Sequence, residues 1–339
     1  MIYTYLIGEI IKNLQFFEIF RKKIIPDILL SSFGCYIGIK RKNRGTLMHF
    51  VQAKSILNYH GINIYRGCSH GCIYCDSRSK CYQFTHDFED IEVKQNAPEL
   101  LEEALRKKRK HCMIGTGSMC DPYVSLEKEL CLTRRCLEVI EKYNFGAAVL
   151  TKSDLVLRDL DILERINKKT KAVVQMTFTT ADDTVCRLIE PGVCPTSRRF
   201  EVLCECRKRG IPTVVWFSPL LPFINDTKEN IDGIMDYCTR AGVKAMLCFG
   251  IGLTLRDGNR EYFYAALDSI ATRDKRFLGL KDRYIKSFGN SYMVASSHER
   301  ELMAYLTQLC RKNNIMLGVE SVFNWMKDFP EDTMQPSLF

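Results

Sequence analysis

The chain has 339 residues, of which 46% are hydrophobic and 26% are charged, and this composition excludes a disordered protein. Its sixteen cysteines are scattered over too long a chain for a small secreted disulfide framework, so we expect a reducing, cytoplasmic setting. Residues 1–47 hold eight Lys and Arg against three Asp and Glu, a net +5, so only +4 of the total +9 remains for residues 48–339. That mild excess is weak evidence for nucleic-acid binding.

Residues 1–47 differ in character from the rest of the chain. They are rich in Ile, Phe and Lys, and their apolar run over 24–39 is interrupted by a proline and an aspartate. That run is shorter than the ~20 residues of a membrane span, and the segment does not open with the basic region of a signal peptide. We predict that residues 1–47 are an extension from an upstream start, with Met48 the true initiator, and that 48–325 form the functional domain.

From about residue 60, short apolar runs alternate with longer amphipathic stretches, which is typical of βα units around a parallel sheet. The predicted strands are Ile62 to Tyr65, Cys112 to Gly115, Ala147 to Thr151, Ala172 to Thr179, Thr213 to Phe217 and Ala245 to Phe249. The predicted helices are Pro98 to Lys110, Lys128 to Tyr143, Leu155 to Lys168, Arg198 to Arg209 and Lys228 to Ala241, and then Ser297 to Asn313 before a short strand from Met316 to Val319. Gly146, Gly210 and Gly242 stand where helices should end. Six units predict an α/β fold with a partial (β/α)6 TIM-like barrel, whose active residues lie at the carboxyl ends of the strands.

Three cysteines follow the first predicted strand at CxxxCxxC spacing: Cys68, Cys72 and Cys75. Three thiolates can bind three irons of a [4Fe–4S] cluster and leave the fourth iron open for a reacting ligand. Haem attachment is excluded, because no histidine follows the third cysteine. A zinc site remains an alternative, with Cys81 or His86 as the fourth ligand.

The same motif, with Tyr74 just before its third cysteine, resembles the signature of the radical S-adenosylmethionine (SAM) superfamily. The resemblance implies that Cys68, Cys72 and Cys75 bind a [4Fe–4S] cluster, that SAM chelates the open iron, and that Tyr74 lies near the adenine. It further implies that the reduced cluster splits SAM to give a 5′-deoxyadenosyl radical, which removes hydrogen from a substrate. A ferredoxin- or flavodoxin-type electron donor would then be a partner.

Several later segments are similar to the spore photoproduct lyase-like branch of that superfamily, over roughly residues 50–310. They are Asn63 to Cys75, Asp121-Pro122-Tyr123 with Glu127, Leu150 to Ser153, Glu190-Pro191-Gly192 and Pro219 to Pro222. The likeness implies a lyase-like enzyme that acts on DNA, in repair. A radical SAM enzyme for RNA, peptide or a small molecule is an alternative, and so is a non-enzymatic metal-binding nucleic-acid module.

Polar residues at the predicted strand ends are candidates for binding the cofactor. Lys152 could meet an anionic group such as the SAM carboxylate or a phosphate, or be a solvated lysine before a helix. Thr177 and Thr179 share one face of the fourth strand and Thr180 follows them, although they could equally be ordinary strand residues. Ser118, after the second strand, completes this set.

Cys120 is a candidate hydrogen donor next to Asp121. In spore photoproduct lyases the donor cysteine stands two positions before the one that Cys120 occupies, where the present chain has Ser118. If the second strand extends that far, alternation puts Cys120 on the same face as Ser118; a buried, inert cysteine is the alternative. Tyr123 could stack on a base or merely pack.

Two basic runs, Arg106 to Lys110 and Arg207 to Arg209, end predicted helices. Cations are favourable at helix carboxyl ends, so solvated helix ends compete with phosphate contacts as an explanation.

The last segment, residues 326–339, reads as a flexible tail that ends in QPSLF. The pattern is similar to the peptide that docks on the bacterial sliding clamp, with Gln335 fixing orientation and Leu338 and Phe339 as apolar anchors. A terminus without function is the alternative.

Overall fold

The computed structural model describes residues 41–43, 46–59 and 61–328. Most of the 1–47 extension and the QPSLF tail lie outside these ranges, so the start-site and sliding-clamp hypotheses stay predictions. The proposed boundary at Met48 falls inside a strand, Thr46–Val51, and the boundary at 326 falls inside a helix, Val319–Lys327. Within the described ranges, no helix is long and apolar enough to cross a bilayer.

The main sheet has eight strands in the order β14-β11-β10-β9-β8-β7-β4-β3, and all neighbours are parallel except the antiparallel pair β3 and β4. Its strands are β3 (Leu57–Asn58), β4 (Gly61–Ile62), β7 (Met113–Thr116), β8 (Gly146–Thr151), β9 (Ala172–Thr177), β10 (Thr213–Trp216), β11 (Ala245–Leu247) and β14 (Met316–Leu317). Five of the six predicted barrel strands are present and the first is reduced to Gly61–Ile62, and the partial-barrel prediction is confirmed. β9 is buried along its whole length, as expected of a parallel strand covered on both faces.

A second, smaller sheet has four strands in the order β1-β2-β6-β5. It consists of β1 (Arg41–Asn43), β2 (Thr46–Val51), β5 (Tyr65–Arg66) and β6 (Ile91–Lys94). The prediction of one strand from Ile62 to Tyr65 was therefore wrong, because the chain leaves the main sheet after Ile62 and pairs Tyr65 with Val93 of β6. A two-stranded ribbon, β12 (Gly252–Thr254) with β13 (Met293–Ala295), completes the strands of the described region.

Each of the six predicted helical stretches contains a helix, whereas Asp183–Ile189, Asn259–Ala271, Leu280–Phe288 and Val319–Lys327 were not among the predicted helices. The helices that cover these sheets are α1 (Ala97–Lys107), α2 (Glu127–Leu130), α3 (Leu132–Lys142), α4 (Leu160–Lys169), α5 (Asp183–Ile189), α6 (Thr196–Lys208), α7 (Lys228–Ala241), α8 (Asn259–Ala271), α9 (Leu280–Phe288), α10 (Glu299–Lys312) and α11 (Val319–Lys327). The predicted helix over 128–143 is divided at Cys131, whose φ of 52° is left-handed. Gly146 begins β8 instead of ending a helix, and Asn144 takes the left-handed position there.

Parallel pairing brings the carboxyl ends of the barrel strands to one edge, which we call the active edge. In register, Thr116 of β7 pairs with Val149 of β8, and Thr151 of β8 pairs with Met176 of β9. The segments that follow β7, β8 and β9 therefore meet at this edge, where α/β barrels place their reactive groups.

Candidate active site

The loop that carries the three cysteines, residues 67–78, is held to two other parts of the chain through backbone hydrogen bonds. The Cys68 N–H donates to the Phe88 carbonyl at 3.0 Å, and the Ile73 N–H donates to the Ile189 carbonyl at 3.0 Å. The Gly192 N–H donates to the His70 carbonyl at 2.8 Å. The Glu190-Pro191-Gly192 segment after α5 is thus a support for this loop.

Two glycines permit these close contacts. Gly67 has a φ of +89°, and a Cβ there would lie 2.5 Å from the Phe88 carbonyl oxygen. A Cβ on Gly192 would lie 2.6 Å from the His70 carbonyl oxygen. Real Cβ atoms do not approach a carbonyl so closely, so both positions require glycine.

Replacement of Gly67 by Ala is expected to displace the cysteine loop and to lower the iron content of the reconstituted protein severalfold. Gly210→Ala is a matched control, because Gly210 also has a positive φ, +68°, but nothing lies within 4 Å of its Cβ position. Left-handed strain alone costs about 1 kcal/mol, so the control should lose some stability and keep its iron. Equal iron in the two variants would contradict the close-approach argument.

All three cysteines of the loop are free thiols, with Cys68 and Cys72 buried and Cys75 half-buried. A single zinc ion would hold its sulfur ligands about 3.8 Å apart, given Zn–S bonds of about 2.3 Å. Within the described residues, these cysteines are not a set whose ligand atoms all lie within 4.8 Å of one another. Neither Cys81, which is exposed and accepts from Arg256 at 3.2 Å, nor His86 joins them. In a [4Fe–4S] cluster, by contrast, each sulfur binds a different iron, so the three thiols need not lie so close together.

The three thiols differ in acidity. The adjacent Cys120 thiol and the charge of His70 outweigh burial and hold the pKa of Cys68 well below its usual range. Burial raises the pKa of Cys72 and of Cys75. Burial acts to lower the pKa of His70, but the charges of Cys68 and Asp121 outweigh it and raise that pKa to about 9. Cys68 is therefore the thiol that most readily reaches the thiolate form that binds metal.

Asp121 connects the segments that follow β7 and β8. Its carboxylate accepts from the Thr151 hydroxyl at 2.7 Å, from the Lys152 N–H at 2.7 Å and from the Tyr123 N–H at 2.9 Å. The same carboxylate lies 3.6 Å from Nδ1 of His70 in the cysteine loop. Asp121 thus fixes three segments of the active edge relative to one another.

Glu190 is the centre of a second, fully buried network. Its carboxylate pairs with the Arg199 guanidinium, and both residues are 0% exposed. It also accepts from the Tyr74 hydroxyl and, at 3.1 Å, from the Thr179 hydroxyl. Arg199 donates further to the Thr177 carbonyl at 2.9 Å. This network links the cysteine loop to the end of β9.

Lys152 lies at the same edge, with its Nζ 5.9 Å from the centre of the Tyr74 ring. Burial acts to lower the pKa of Lys152, but the negative groups of Cys72 and Glu190 outweigh it, so the net shift is upward. Thr177, Thr179 and Thr180 are all buried, although β9 ends at Thr177 and not at Thr179 as predicted. The structure brings these predicted residues together around the loop.

The segment after β7 differs from the prediction. The strand ends at Thr116, so alternation does not extend to Ser118 and Cys120. Ser118 is exposed, whereas Cys120 is buried and its thiol donates to the Gly67 carbonyl at 2.7 Å. This placement favours the alternative of a buried cysteine that packs behind the loop.

Tyr123 is 1% exposed, and its hydroxyl donates to the Asp159 carboxylate at 3.1 Å. In this structure it packs and does not present its ring for stacking. Nearby, the buried Glu127 accepts from Tyr65 and from Arg158 and caps α3 through the Thr133 N–H. The buried side chains of Tyr123 and Glu127 therefore stabilise the active edge through hydrogen bonds.

Sequence reasoning missed the roles of Glu190, Arg199 and Asp121 as the groups that connect these segments. The signal for two of them was present in the Glu190-Pro191-Gly192 and Asp121-Pro122-Tyr123 segments, but no spacing pattern indicates which loop a distant carboxylate will reach.

The sequence matches one protein-family model and is similar to several known proteins. The family model described as "Radical SAM superfamily" matches residues 62–238. An uncharacterized protein of Mycobacterium tuberculosis is 28% identical over 255 residues, 67% of this chain and 72% of that protein. An uncharacterized protein of Methanocaldococcus jannaschii is 32% identical over 171 residues, 49% of this chain and 62% of that protein.

Solved structures resemble the fold. Spore photoproduct lyase complexed with dinucleoside spore photoproduct aligns with a TM-score of 0.56 and 13% identity, over 80% of this chain and 81% of that one. A mutant of the lyase with bound AdoMet (SAM) and the same dinucleoside aligns at 0.53 and 14% identity, over 76% and 75% of the two chains. At such identities the likeness shows a shared fold.

The family match covers the cysteine loop and the β7–β9 segments that surround it, and the partial barrel is the fold of the lyase. The cofactors of this family are a [4Fe–4S] cluster and SAM. The chain belongs to the radical SAM superfamily and is an enzyme of that family.

Proposed function

We propose that Cys68, Cys72 and Cys75 hold the [4Fe–4S] cluster and leave one iron for SAM. Bound there and reduced, the cluster would supply the one-electron cleavage of SAM and so the radical chemistry that removes a hydrogen atom from the substrate. A reductant must supply that electron, and we propose a ferredoxin or flavodoxin for this role. The support is the arrangement of three free cysteines on one pinned loop at the active edge.

The chain's own residues would then bind and orient SAM. Lys152 directly follows β8 and lies beside Tyr74 of the cysteine loop, and we propose that it pairs with the SAM carboxylate. Ser118, Thr177, Thr179 and Thr180 would offer polar groups around it. Tyr74 would contribute through its backbone, because its hydroxyl is already engaged by Glu190.

For the substrate we propose a nucleic acid, in the first instance a DNA lesion. One observation of this chain carries the proposal: an arginine–tyrosine pair stands beside the cysteine loop. Arg256 lies 5.0 Å from the centre of the Tyr292 ring and donates to its hydroxyl at 2.8 Å. Arg256 is also 3.5 Å from the carboxylate of Asp76, the residue after Cys75. Tyr292 is 45% exposed, so a base could stack on it while arginine meets a phosphate.

The two basic runs do not support the proposal. Arg106 to Lys110 precedes β7 and Arg207 to Arg209 precedes β10, so both lie at the amino ends of the strands, opposite the active edge. Several of their cations have acidic partners, such as Lys107 with Glu103 and Lys208 with Glu205. These runs are helix ends, and the nucleic acid would be bound elsewhere.

Tyr292→Ala is expected to weaken binding of single-stranded DNA about tenfold, because stacking of one base on an aromatic ring is worth ~1–3 kcal/mol. Tyr59→Ala is the control: Tyr59 is 87% exposed, but it lies in the turn before β4, at the opposite edge. Fluorescence anisotropy with a labelled oligonucleotide measures both. Equal loss of DNA affinity in the two variants would contradict the proposal that a base stacks on Tyr292.

The function itself is tested by anaerobic reconstitution, followed by measurement of iron, sulfide and reductant-dependent 5′-deoxyadenosine. Ultraviolet-irradiated DNA should increase deoxyadenosine formation over undamaged DNA. RNA, a peptide mixture and a metabolite extract are the parallel arms. Stimulation by one of these and not by irradiated DNA would replace the DNA proposal while leaving the enzyme class intact.

A further inference from the structure

Outside the cysteine loop, a second group of metal-binding side chains lies on the small sheet. His49 on β2 and Glu92 on β6 are direct register partners of the parallel pair, and His86 comes from the segment that leads into β6. One ligand atom from each of the three lies within 4.8 Å of the other two, and all three residues are half-buried. Three side chains thus converge from two strands and a loop.

The hydrogen bonds of the two histidines fix which ring nitrogen is available. Nδ1 of His86 contacts the Asp87 carbonyl at 2.9 Å, and a carbonyl only accepts, so this nitrogen carries the proton. Nδ1 of His49 contacts the Asp90 carboxylate at 3.0 Å and by the same reasoning donates. Each ring is left with a lone pair on Nε2.

The Nε2 atom of His86 is buried and has no hydrogen-bond partner. A buried polar atom without a partner costs about 1–3 kcal/mol, and such atoms are few in folded proteins. The His49 ring is its neighbour, with ring centres 4.7 Å apart at an interplanar angle of 80°. A ligand that accepts electron pairs from both rings would remove the cost.

We propose that His49, His86 and Glu92 bind a divalent transition-metal ion of the zinc type through the two Nε2 atoms and the carboxylate. Histidines that bind metal commonly donate their other N–H to a carboxylate or a carbonyl, as both do here. Two imidazoles and one carboxylate suit zinc and its neighbours, and bonds of about 2.0–2.1 Å would place the ligand atoms about 3.4 Å apart. Three protein ligands leave a fourth position for water or another group.

The position of this site connects it to the cysteine loop. His86 and Asp90 flank Phe88, whose carbonyl accepts from the Cys68 N–H at 3.0 Å. An ion bound to His49, His86 and Glu92 would tie this segment to β2 and β6. It would therefore steady the backbone that holds the first of the three cysteines.

The test uses the anaerobically purified full chain with its iron–sulfur cluster in place, so that the cysteine loop is occupied. Equilibrium dialysis against zinc, followed by metal analysis, should give one zinc per chain in the wild type and a loss of at least tenfold in affinity in His86→Ala and Glu92→Gln. His298→Ala is the matched control and should bind as the wild type does, because that side chain is 65% exposed and lies outside the group. The zinc K-edge absorption spectrum should show nitrogen and oxygen neighbours.

Equal zinc binding in Glu92→Gln and the wild type would overturn the proposal, and so would sulfur neighbours in the zinc spectrum. Thermal unfolding guards against a variant that merely misfolds. Zinc should raise the Tm of the wild type and of His298→Ala, since a ligand that binds only the folded state stabilises it. It should leave the Tm of a folded Glu92→Gln unchanged, and an equal rise in both would refute the site.

Discussion

Replacement of any one of Cys68, Cys72 and Cys75 by alanine is expected to abolish cluster assembly and, with it, reductive cleavage of SAM. Two thiolates cannot hold a cluster that needs three corners, and residues 67–78 contain no fourth cysteine. Iron and sulfide analysis, the visible absorption of the reconstituted protein and deoxyadenosine formation measure the effect. We expect deoxyadenosine to fall to the level of the buffer blank.

Cys81→Ala is the matched control for these variants. Cys81 lies six residues after Cys75 and is exposed, but the structure places it against Arg256 and not with the three thiols. The control should keep its full iron content and activity. A zinc site completed by Cys81 would give the opposite pattern, with metal lost from Cys81→Ala as completely as from the other variants, and would overturn the cluster assignment.

Arg199→Ala is expected to lower the free energy of unfolding by about 3–5 kcal/mol. The substitution leaves the carboxylate of Glu190 buried and without its cation. The pKa of Glu190 also indicates that the pair is stabilising. Burial acts to raise this pKa, but Arg199 and Lys152 outweigh burial and hold it below its usual value. Because the folded pKa is lowered, the pair's contribution is present at neutral pH and is lost as the pH falls through that pKa.

The neighbouring arginine provides the control. Arg198 pairs with Asp154 and Glu201, but its side chain is 42% exposed, so Arg198→Ala should cost no more than about 1 kcal/mol. Urea unfolding of the cluster-free full chain under reducing conditions measures both variants. If Arg199→Ala loses no more stability than Arg198→Ala, the buried pair of Arg199 with Glu190 does not stabilise the segment that supports the cysteine loop.

The order of strands and helices in the barrel was predictable because each element carries its own periodic signal. Helix Lys228–Ala241 has the predicted bounds, and each barrel strand was located within a few residues. Errors arose where tertiary contacts override the local pattern. Tyr65 joins a different sheet from Ile62, and Glu127 caps α3 and so divides a stretch that resembles one helix.

The candidate site was predictable only in part. The cysteine spacing is a local signal, whereas the partners of Glu190 and Asp121 depend on contacts between distant segments. The burial of Cys120 could not be predicted either. The strand whose alternation would have fixed the direction of its side chain ends four residues earlier, at Thr116. Local pattern thus indicates which chemistry a chain can perform, while long-range contacts decide which side chains can reach it.

The support of the cysteine loop by the Glu190 network has a consequence for biogenesis. Tyr74 and Glu190 are 116 residues apart in sequence, so the pinned form of the loop cannot exist until the fourth βα unit has left the ribosome. At about 5–20 residues per second, that interval is roughly 6–23 s. During this time the three thiols are synthesised but not yet arranged, so we expect cluster insertion to follow folding of the first four βα units.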